Sequence, residues 1–502
     1  MPSATGLVLF QLMLGYMTDD PSRLVLVASN RGPVSFSFAA DGSLAARRGS
    51  GGLVSGLTPG LAAVAADGGV LWLCAALSDA DRVAARLGER AHGAPGEAPV
   101  RMLDIPEDTF AAAYNGVANS VLWFVHHLLF DTPVQPRFDA GFRRDWAAYV
   151  AYNQAFADAL AEESVTGTRV LVQDYHLALA PRMLRDLRPG TRIAHFEHTP
   201  WAPPDYYRLL PDDVAAAVLD GMLGADHLGF HSQRWAAAFL DCCEAVLGAR
   251  GARVSRSGTG GQVSYRGRVS GVATHPLGVD AGTLRARGQE SDVRTAAGVL
   301  SGAVGERQVI VRIDRTELSK NILRGLAAYR ELLATRPQWR GQVVHLALAY
   351  PSRSGLAEYR AYTERVHDLA REINAEFGTD DWDPLILDLK DDYPRSLAAC
   401  GLADVMVVNP IRDGMNLVAQ EGPILSERGC ALVLSREAGS ASLIGDSALL
   451  VNPYDVTATA EALHAGLCMT ASERRRRSAA VTAAASAQAP QRWLADQLAA
   501  LG

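Results

Sequence analysis

The chain has 502 residues, 48% hydrophobic and 21% charged. That length exceeds a single hydrophobic core, so two or three domains of ordinary soluble composition are expected. A formal net charge of −7 gives no general attraction to nucleic acid or to an anionic membrane.

Residues 1–21 contain an apolar stretch, Gly6 to Leu14. It lacks a basic leader and a small-residue cleavage site, and it is too short to span a bilayer. A disordered or loosely docked N-terminal extension is expected there rather than a signal. The first strand is Arg23 to Ala28, broken by Ser29-Asn30-Arg31-Gly32-Pro33. Gly49 to Leu53, with Gly51 and Gly52 at its centre, reads as a loop before an apolar helix, Val54 to Ala66. Strand-like runs recur at Val70 to Cys74, Arg169 to Gln173, Arg192 to Phe196 and His227 to Phe230, mostly separated by helical stretches. That alternation predicts a parallel, doubly wound α/β sheet. Ala249 to Arg268 is rich in Gly, Ser, Arg and Thr and reads as a hairpin or surface loop.

The pattern restarts at Gln308 to Ile313. Further strands are predicted at Val343 to Ala349, Leu385 to Leu389, Val405 to Val408, Ala431 to Ser435 and Ala448 to Val451. Two similar lobes follow, 22–280 and 281–487, with a final helix in 488–502 that has no strand after it and is expected to pack back on the first lobe. Arg474 to Arg477 reads as a solvated helix face. Cys74, Cys242, Cys243, Cys400, Cys430 and Cys468 form no C-x-x-C pair; most fall in apolar surroundings and read as buried thiols, which fits a reducing, cytoplasmic compartment.

Doubly wound lobes bind ligands at the carboxyl ends of their strands, and two of them can present those ends to a shared cleft. The polar residues there carry the chemistry. In the second lobe the run Asp404 to Val408 leads into Asn409-Pro410-Ile411-Arg412-Asp413-Gly414-Met415-Asn416-Leu417-Val418, where a turn at Gly414 precedes a helix starting at Asn416. Free N–H groups and the helix dipole favour phosphate at such a start. Asp413 lies in the turn, and Glu421 is placed about two helical turns further on. A phosphate cradle flanked by two carboxylates suits a nucleotide-sugar. Arg315 and Lys320 follow the restarted strand on either side of a turn and can neutralise a diphosphate, although a solvated pair is the alternative. Arg353 is a similar loop cation.

In the first lobe Asp174 ends a strand, where it either points into the cleft or caps a helix. His195, Glu197 and His198 end the next strand. Alternation sends His195 and His198 apart, so a metal site is not supported and a single cleft histidine, His198, is preferred. Tyr114 and Trp123 belong to a helix whose aromatics read as core. Asp381-Trp382-Asp383 precedes its strand and so lies at the wrong end for the cleft.

These motifs, in this order, resemble the trehalose-6-phosphate synthase family, retaining glycosyltransferases of two Rossmann-like lobes (the GT-B architecture). They are SNR at Ser29 to Arg31, GGL at Gly51 to Leu53, YN…N-x-VLW at Tyr114 to Trp123, QDYHL at Gln173 to Leu177 and H-x-P at His198 to Pro200. The second lobe adds R-x-x-x-x-K at Arg315 to Lys320, PSR at Pro351 to Arg353, RDGMNLVA-x-E at Arg412 to Glu421 and VNPYD at Val451 to Asp455. The resemblance implies glucose transfer from a nucleotide-glucose, with UDP and GDP both open, to glucose 6-phosphate, giving α,α-trehalose 6-phosphate. It implies that Arg31, Tyr114, Trp123 and Arg353 hold the acceptor phosphate and Asp174 the acceptor hydroxyls. His198, Asp413 and the Gly51-Gly52 loop would hold the donor glucose. Arg315, Lys320 and the Asn416, Leu417 and Val418 N–H groups would meet the diphosphate, and Glu421 the ribose. No metal, cofactor, nucleic acid or membrane is implied, and a homo-oligomer is compatible with the sequence. One departure stands out: Trp72-Leu73-Cys74-Ala75 has Ala75 where the family usually carries a second Trp. It leaves room for a pseudo-glycosyltransferase that couples a nucleotide-cyclitol to an amino-cyclitol phosphate. A non-catalytic sugar-phosphate sensor is the alternative from another class.

Overall fold

The computed structural model describes residues 24–39, 41–48, 52–67, 69–87, 98–353 and 355–502. Its contacts divide into two compact units. The first comprises the described residues of 1–126 with Phe130–His275 and Pro490–Gly502; the second is His127–Leu129 with Pro276–Ala489. The chain thus crosses between units at His275/Pro276, a few residues before the expected boundary near 281.

The first unit contains β1 (Val25–Ser29), β2 (Val34–Phe38), β3 (Leu44–Arg48), β4 (Val70–Ala75), β5 (Val100–Leu103), β6 (Arg169–Gln173), β7 (Arg192–Glu197), β8 (His227–Phe230), β9 (Arg253–Ser257), β10 (Gly260–Tyr265) and β11 (Arg268–Thr274). Its sheet has the order β5-β4-β1-β6-β7-β8-β11-β10-β9, and β2 and β3 form a separate hairpin. The pairs from β5 across to β11 are parallel, and β10 and β9 add an antiparallel tail. The parallel strands are continuous apolar runs because both faces are covered: every residue of β1, β4 and β8 is buried. Successive strands run outward on one side of β1 and then on the other, so the order reverses between β1 and β6. Their exit loops flank the switch point, the place where such sheets bind ligands.

The helix Pro490–Ala499 belongs to this unit. Its Trp493 is fully buried, with its ring 4.8 Å from Phe196 and 5.8 Å from His198. Its Leu494 packs so tightly on the helix Gly52–Asp67 that a Cβ at Gly60 would come 2.7 Å from Leu494 Cδ2.

The second unit contains β12 (Gln308–Arg315), β13 (Val343–Tyr350), β14 (Leu385–Asp388), β15 (Val405–Val408), β16 (Ala431–Ser435) and β17 (Leu449–Val451). All pairs are parallel, in the order β14-β13-β12-β15-β16-β17. Counted within the unit this is 3-2-1-4-5-6, the dinucleotide-fold order, with its switch point between β12 and β15. The fully buried Arg312 ties those two strands together. Its guanidinium donates to Asp314 (2.9 Å), to the Lys320 carbonyl (2.7 Å) and to Asn409 Oδ1 (2.6 Å). A Cβ at Gly325 would come 2.1 Å from Arg312 Nη1, so that helix position must stay bare.

The structure corrects the basic run at one position: Arg475 and Arg476 are exposed, as a solvated face requires, but Arg474 is not. Arg474 is buried and bonds the Gly429 and Met469 carbonyls and Asp404, because it faces the end of β15 rather than solvent. The hairpin β2–β3 and strand β5 were not anticipated. Asp381-Trp382-Asp383 lies before β14, with Trp382 buried and its Nε1 donating to the Val343 carbonyl.

Candidate active site

In the second unit the expected cations gather at the β12/β15 switch point. Arg315 is the last residue of β12 and Lys320 ends the short 3-10 turn Leu318–Lys320. Lys320 Nζ donates to Asp413 Oδ2 at 2.6 Å, and Asn416 Nδ2 reaches the same oxygen at 3.1 Å. Burial works against the Lys320 charge, but Asp413 and Asp314 outweigh it and hold its pKa above the ordinary value. Ammonium has three donors, so the bond to Asp413 leaves capacity for another oxygen. Arg315 and Arg353 both pair with Glu317 Oε1, each at 3.0 Å. Burial opposes the Glu317 charge, yet Arg315, Arg353 and Lys320 draw its pKa down to about 2. Glu317 is thus the counter-ion that gathers the cations.

The loop after β15 is strapped in place. Asp413 N donates to the Glu437 carbonyl, and Gly439 N and Ser440 N donate back to the Asp413 and Met415 carbonyls. A Cβ at Gly439 would lie 1.8 Å from the Gly414 carbonyl oxygen, so only glycine permits this approach. Asn416 then takes φ +70, and the helix starts at Val418 and runs to Leu425. Its first carbonyl acceptor, Leu417, takes bonds from Gln420 and Glu421, which leaves the Leu417, Val418 and Ala419 N–H groups at the open end. Glu421 therefore sits in the first helical turn, not two turns on, because Asn416 delays the helix. Burial pushes its carboxyl up to about 7.

In the first unit Asp174 leaves β6 with φ 75 and ψ 163 and makes no side-chain cap bond, which removes the N-cap reading. Such a backbone costs an L-residue about 1–3 kcal/mol and marks a functional position more often than a structural one. Burial opposes the Asp174 charge, but the His176 hydrogen bond and charge, then His198, hold its carboxyl well below the usual range. His198 follows β7; its Nε2 pairs with Gln173 Oε1 at 2.9 Å, and burial depresses its pKa, so the ring is neutral at pH 7. Arg31 is exposed after β1, in a loop held by Tyr152 Oη donating to Asn30 Oδ1 at 2.7 Å.

Residues 112–122 form a π-helix. Tyr114 and Trp123 are nine positions apart, about two and a half turns of an α-helix, which would put them on opposite faces. The wider π turns bring both to one side: Tyr114 stacks on His176 (5.5 Å) and Trp123 lies against Tyr175 (5.8 Å). These aromatics therefore line the Asp174 turn rather than serving only as core. Gly51 lies outside the described residues; Gly52 begins the helix Gly52–Asp67.

The first unit thus collects Arg31, Tyr114, Trp123, Asp174 and His198. The second collects Arg315, Lys320, Arg353, Asp413, Asn416, Leu417, Val418 and Glu421. Sequence reasoning missed Glu317, Gln173 and Gly439. The alternating charges of Arg315-Thr316-Glu317-Leu318-Ser319-Lys320 were a usable signal for the first; Gln173 stands in the QDYHL motif, which gives no hint of its bond to His198, and Gly439 carried no signal.

Two Rossmann-like lobes with cations and a helix start at one switch point, and a strained aspartate among aromatics at the other, define a glycosyltransferase of the GT-B class. The model of glycosyltransferase family 20 matches residues 23–502. This chain belongs to that family, the trehalose-6-phosphate synthase family. It is 34% identical to the trehalose-6-phosphate synthase of Mycolicibacterium paratuberculosis, covering 97% of this chain and 96% of that protein. It is 32% identical to the probable alpha,alpha-trehalose-phosphate synthase [UDP-forming] 2 of Arabidopsis thaliana, where the match covers 90% of this chain but spans only about half (54%) of the longer plant protein. An E. coli structure described as bound with UDP-2-fluoro glucose superposes with a TM-score of 0.80 at 26% identity, covering 95% of this chain and 98% of that one.

Proposed function

We propose that this chain transfers glucose from UDP-glucose to glucose 6-phosphate with retention, giving α,α-trehalose 6-phosphate. The observation that carries the reading is the cationic switch point: Lys320 bonds Asp413 in the turn before the open helix start at Leu417–Ala419, and Arg315 ends β12, the strand paired with β15. Relatives named UDP-forming, and a neighbour bound to a UDP-sugar, support the donor.

Glycosyl transfer develops positive charge on the sugar ring and negative charge on the departing diphosphate. Arg315, Lys320 and the helix N–H groups supply fixed positive potential where that negative charge grows, so the departure needs no divalent cation. Asp413 takes donor-glucose hydroxyls with His198 and the Gly51-Gly52 loop, and Glu421 takes the ribose. Asp174 binds acceptor hydroxyls; Arg31, Tyr114, Trp123 and Arg353 hold the acceptor phosphate. No side chain is assigned as nucleophile: the leaving phosphate oxygen accepts the acceptor proton on the same face of the sugar. That differs from retaining hydrolases, which use a second carboxylate. A cytoplasmic location is supported by six free cysteines. No helix among the described residues is long and apolar enough to cross a membrane.

A donor panel tests the proposal. UDP-glucose and GDP-glucose are each supplied with glucose 6-phosphate, with and without EDTA, and nucleotide release and disaccharide phosphate are followed. Turnover with UDP-glucose, unchanged by EDTA, is expected. No turnover with either donor overturns it.

A further inference from the structure

One buried acid has no task in that scheme. Glu197 ends β7 with no exposure at all. Its Oε1 accepts from Thr199 N (3.0 Å) and Thr199 Oγ1 (2.6 Å). Its Oε2 has no hydrogen-bond partner, with His195 Nε2 3.8 Å away. The register pairs Gln173 with Phe196, and Asp174 N donates to the Phe196 carbonyl at 2.8 Å, so Asp174 and Glu197 occupy adjacent strand tips. Asp174 Oδ1 is also buried without a hydrogen-bond partner.

Two carboxylates at neighbouring buried positions resist joint ionisation, because each is desolvated and repels the other. A single proton between them would satisfy both orphaned oxygens. Glu197 is the deeper of the two; the Asp174 side chain retains 19% exposure and has His176 Nδ1 at 3.5 Å to favour its charge.

We propose that Glu197 is a positioning residue: it keeps its proton, donates it in a hydrogen bond to the Asp174 carboxylate, and so fixes that carboxylate on its strained turn, facing the acceptor. This rests on the acceptor role given to Asp174 above. Burial, then the Asp174 charge, pushes the Glu197 carboxyl well above its ordinary range, in the same direction as the geometry. The titratable groups facing the pair are His195 on β7, His176 and His198 on the turns after β6 and β7, His231 after β8, and Tyr149 on the helix Ala140–Glu163. Burial holds His195, His198 and His231 neutral at pH 7 and above, and raises the Tyr149 hydroxyl, so none of these four changes charge in the mildly alkaline range. Of the groups around the pair, Glu197 is the one whose ionisation as pH rises would repel Asp174 and weaken acceptor binding.

The test compares the full-length wild type with E197Q and E197L. Gln keeps the shape and always donates; Leu keeps the volume and cannot. The acceptor KM of the wild type should rise at alkaline pH, and that rise should be absent in E197Q. E197L should raise the acceptor KM about tenfold at neutral pH, the scale of one lost charge-assisted bond, with the donor KM unchanged. Infrared spectra at pH 7 should show a protonated-carboxyl band in the wild type that E197Q lacks, a readout that needs no turnover. An alkaline rise of equal size in E197Q, or no difference in that band, overturns the inference. Failure of the wild type to use any nucleotide-glucose overturns the synthase reading instead, and the infrared comparison still decides whether Glu197 holds the proton.

Discussion

The two polar sets are built by opposite means. In the second unit charges balance in ion pairs: Lys320 with Asp413, and Arg315 and Arg353 with Glu317. In the first unit the residues are walled by packing. His198 lies against Phe196, His231 and Trp493, and Tyr114 stacks between Phe110 and His176. A set of ion pairs can exchange a carboxylate for a phosphate oxygen and remain satisfied. A packed set cannot exchange partners, and its shape is fixed before any ligand arrives. Substitutions in the second unit should therefore act on turnover more than on folding, and those in the first on both.

Trp493→Ala tests the packed side most severely. Emptying a fully buried tryptophan site should cost about 3–5 kcal/mol in chemical denaturation and lower turnover through His198. A change in the denaturation midpoint that leaves stability within about 1 kcal/mol of wild type would break the contrast. Arg315→Ala tests the charged side. Removing a donor aimed at developing charge should lower kcat about 10²–10³-fold, or about 2.7–4 kcal/mol. The side chain is 44% exposed and Glu317 retains Arg353 and Ser352, so stability should move by less than about 1 kcal/mol. Unchanged turnover would remove the diphosphate role. Gly439→Ala forces the Gly414 carbonyl away and should cost about 1–3 kcal/mol while raising the donor KM. An unaltered donor KM would show that the strap does not shape the helix start.

The smallest effect concerns Glu421. With its pKa raised to about 7, the ligand-free protein holds a proton there that a ribose-binding carboxylate must release. Donor affinity should therefore weaken as pH falls below about 7, by at most about tenfold per unit, and Glu421→Gln should flatten that slope. For folding the sign is opposite. The native state keeps a proton that the unfolded chain loses above its ordinary carboxylate pKa, so this group's contribution falls as pH rises from there to about 7. Titration calorimetry with UDP-glucose across that window decides the binding slope.

Much of the fold was legible because parallel strands covered on both faces become unbroken apolar runs, as in Val405 to Val408 and Ala431 to Ser435. The hairpin β2–β3 was missed although Asp41-Gly42 marks its turn, with Gly42 at φ +80. At the site, Lys320 and Asp413 were each recognisable, but their bond joins residues 93 positions apart and no local pattern encodes it. The same holds for His198 and Gln173, 25 positions apart. The π-helix was unreadable for another reason: residue preferences do not separate it from an α-helix, so only the folded backbone reveals it, and with it the shared side of Tyr114 and Trp123.

The helix Pro490–Ala499 has a consequence in time. Ribosomes emit the chain from its N-terminus, so all of Pro276–Ala489 is synthesised before Trp493 exists to close the wall behind His198. At about 5–20 residues per second the first unit waits on the order of ten seconds or more with Phe196 and the face of the helix Gly52–Asp67 uncovered. The second unit can meanwhile complete its own sheet, so the unit that begins first is the one that finishes last.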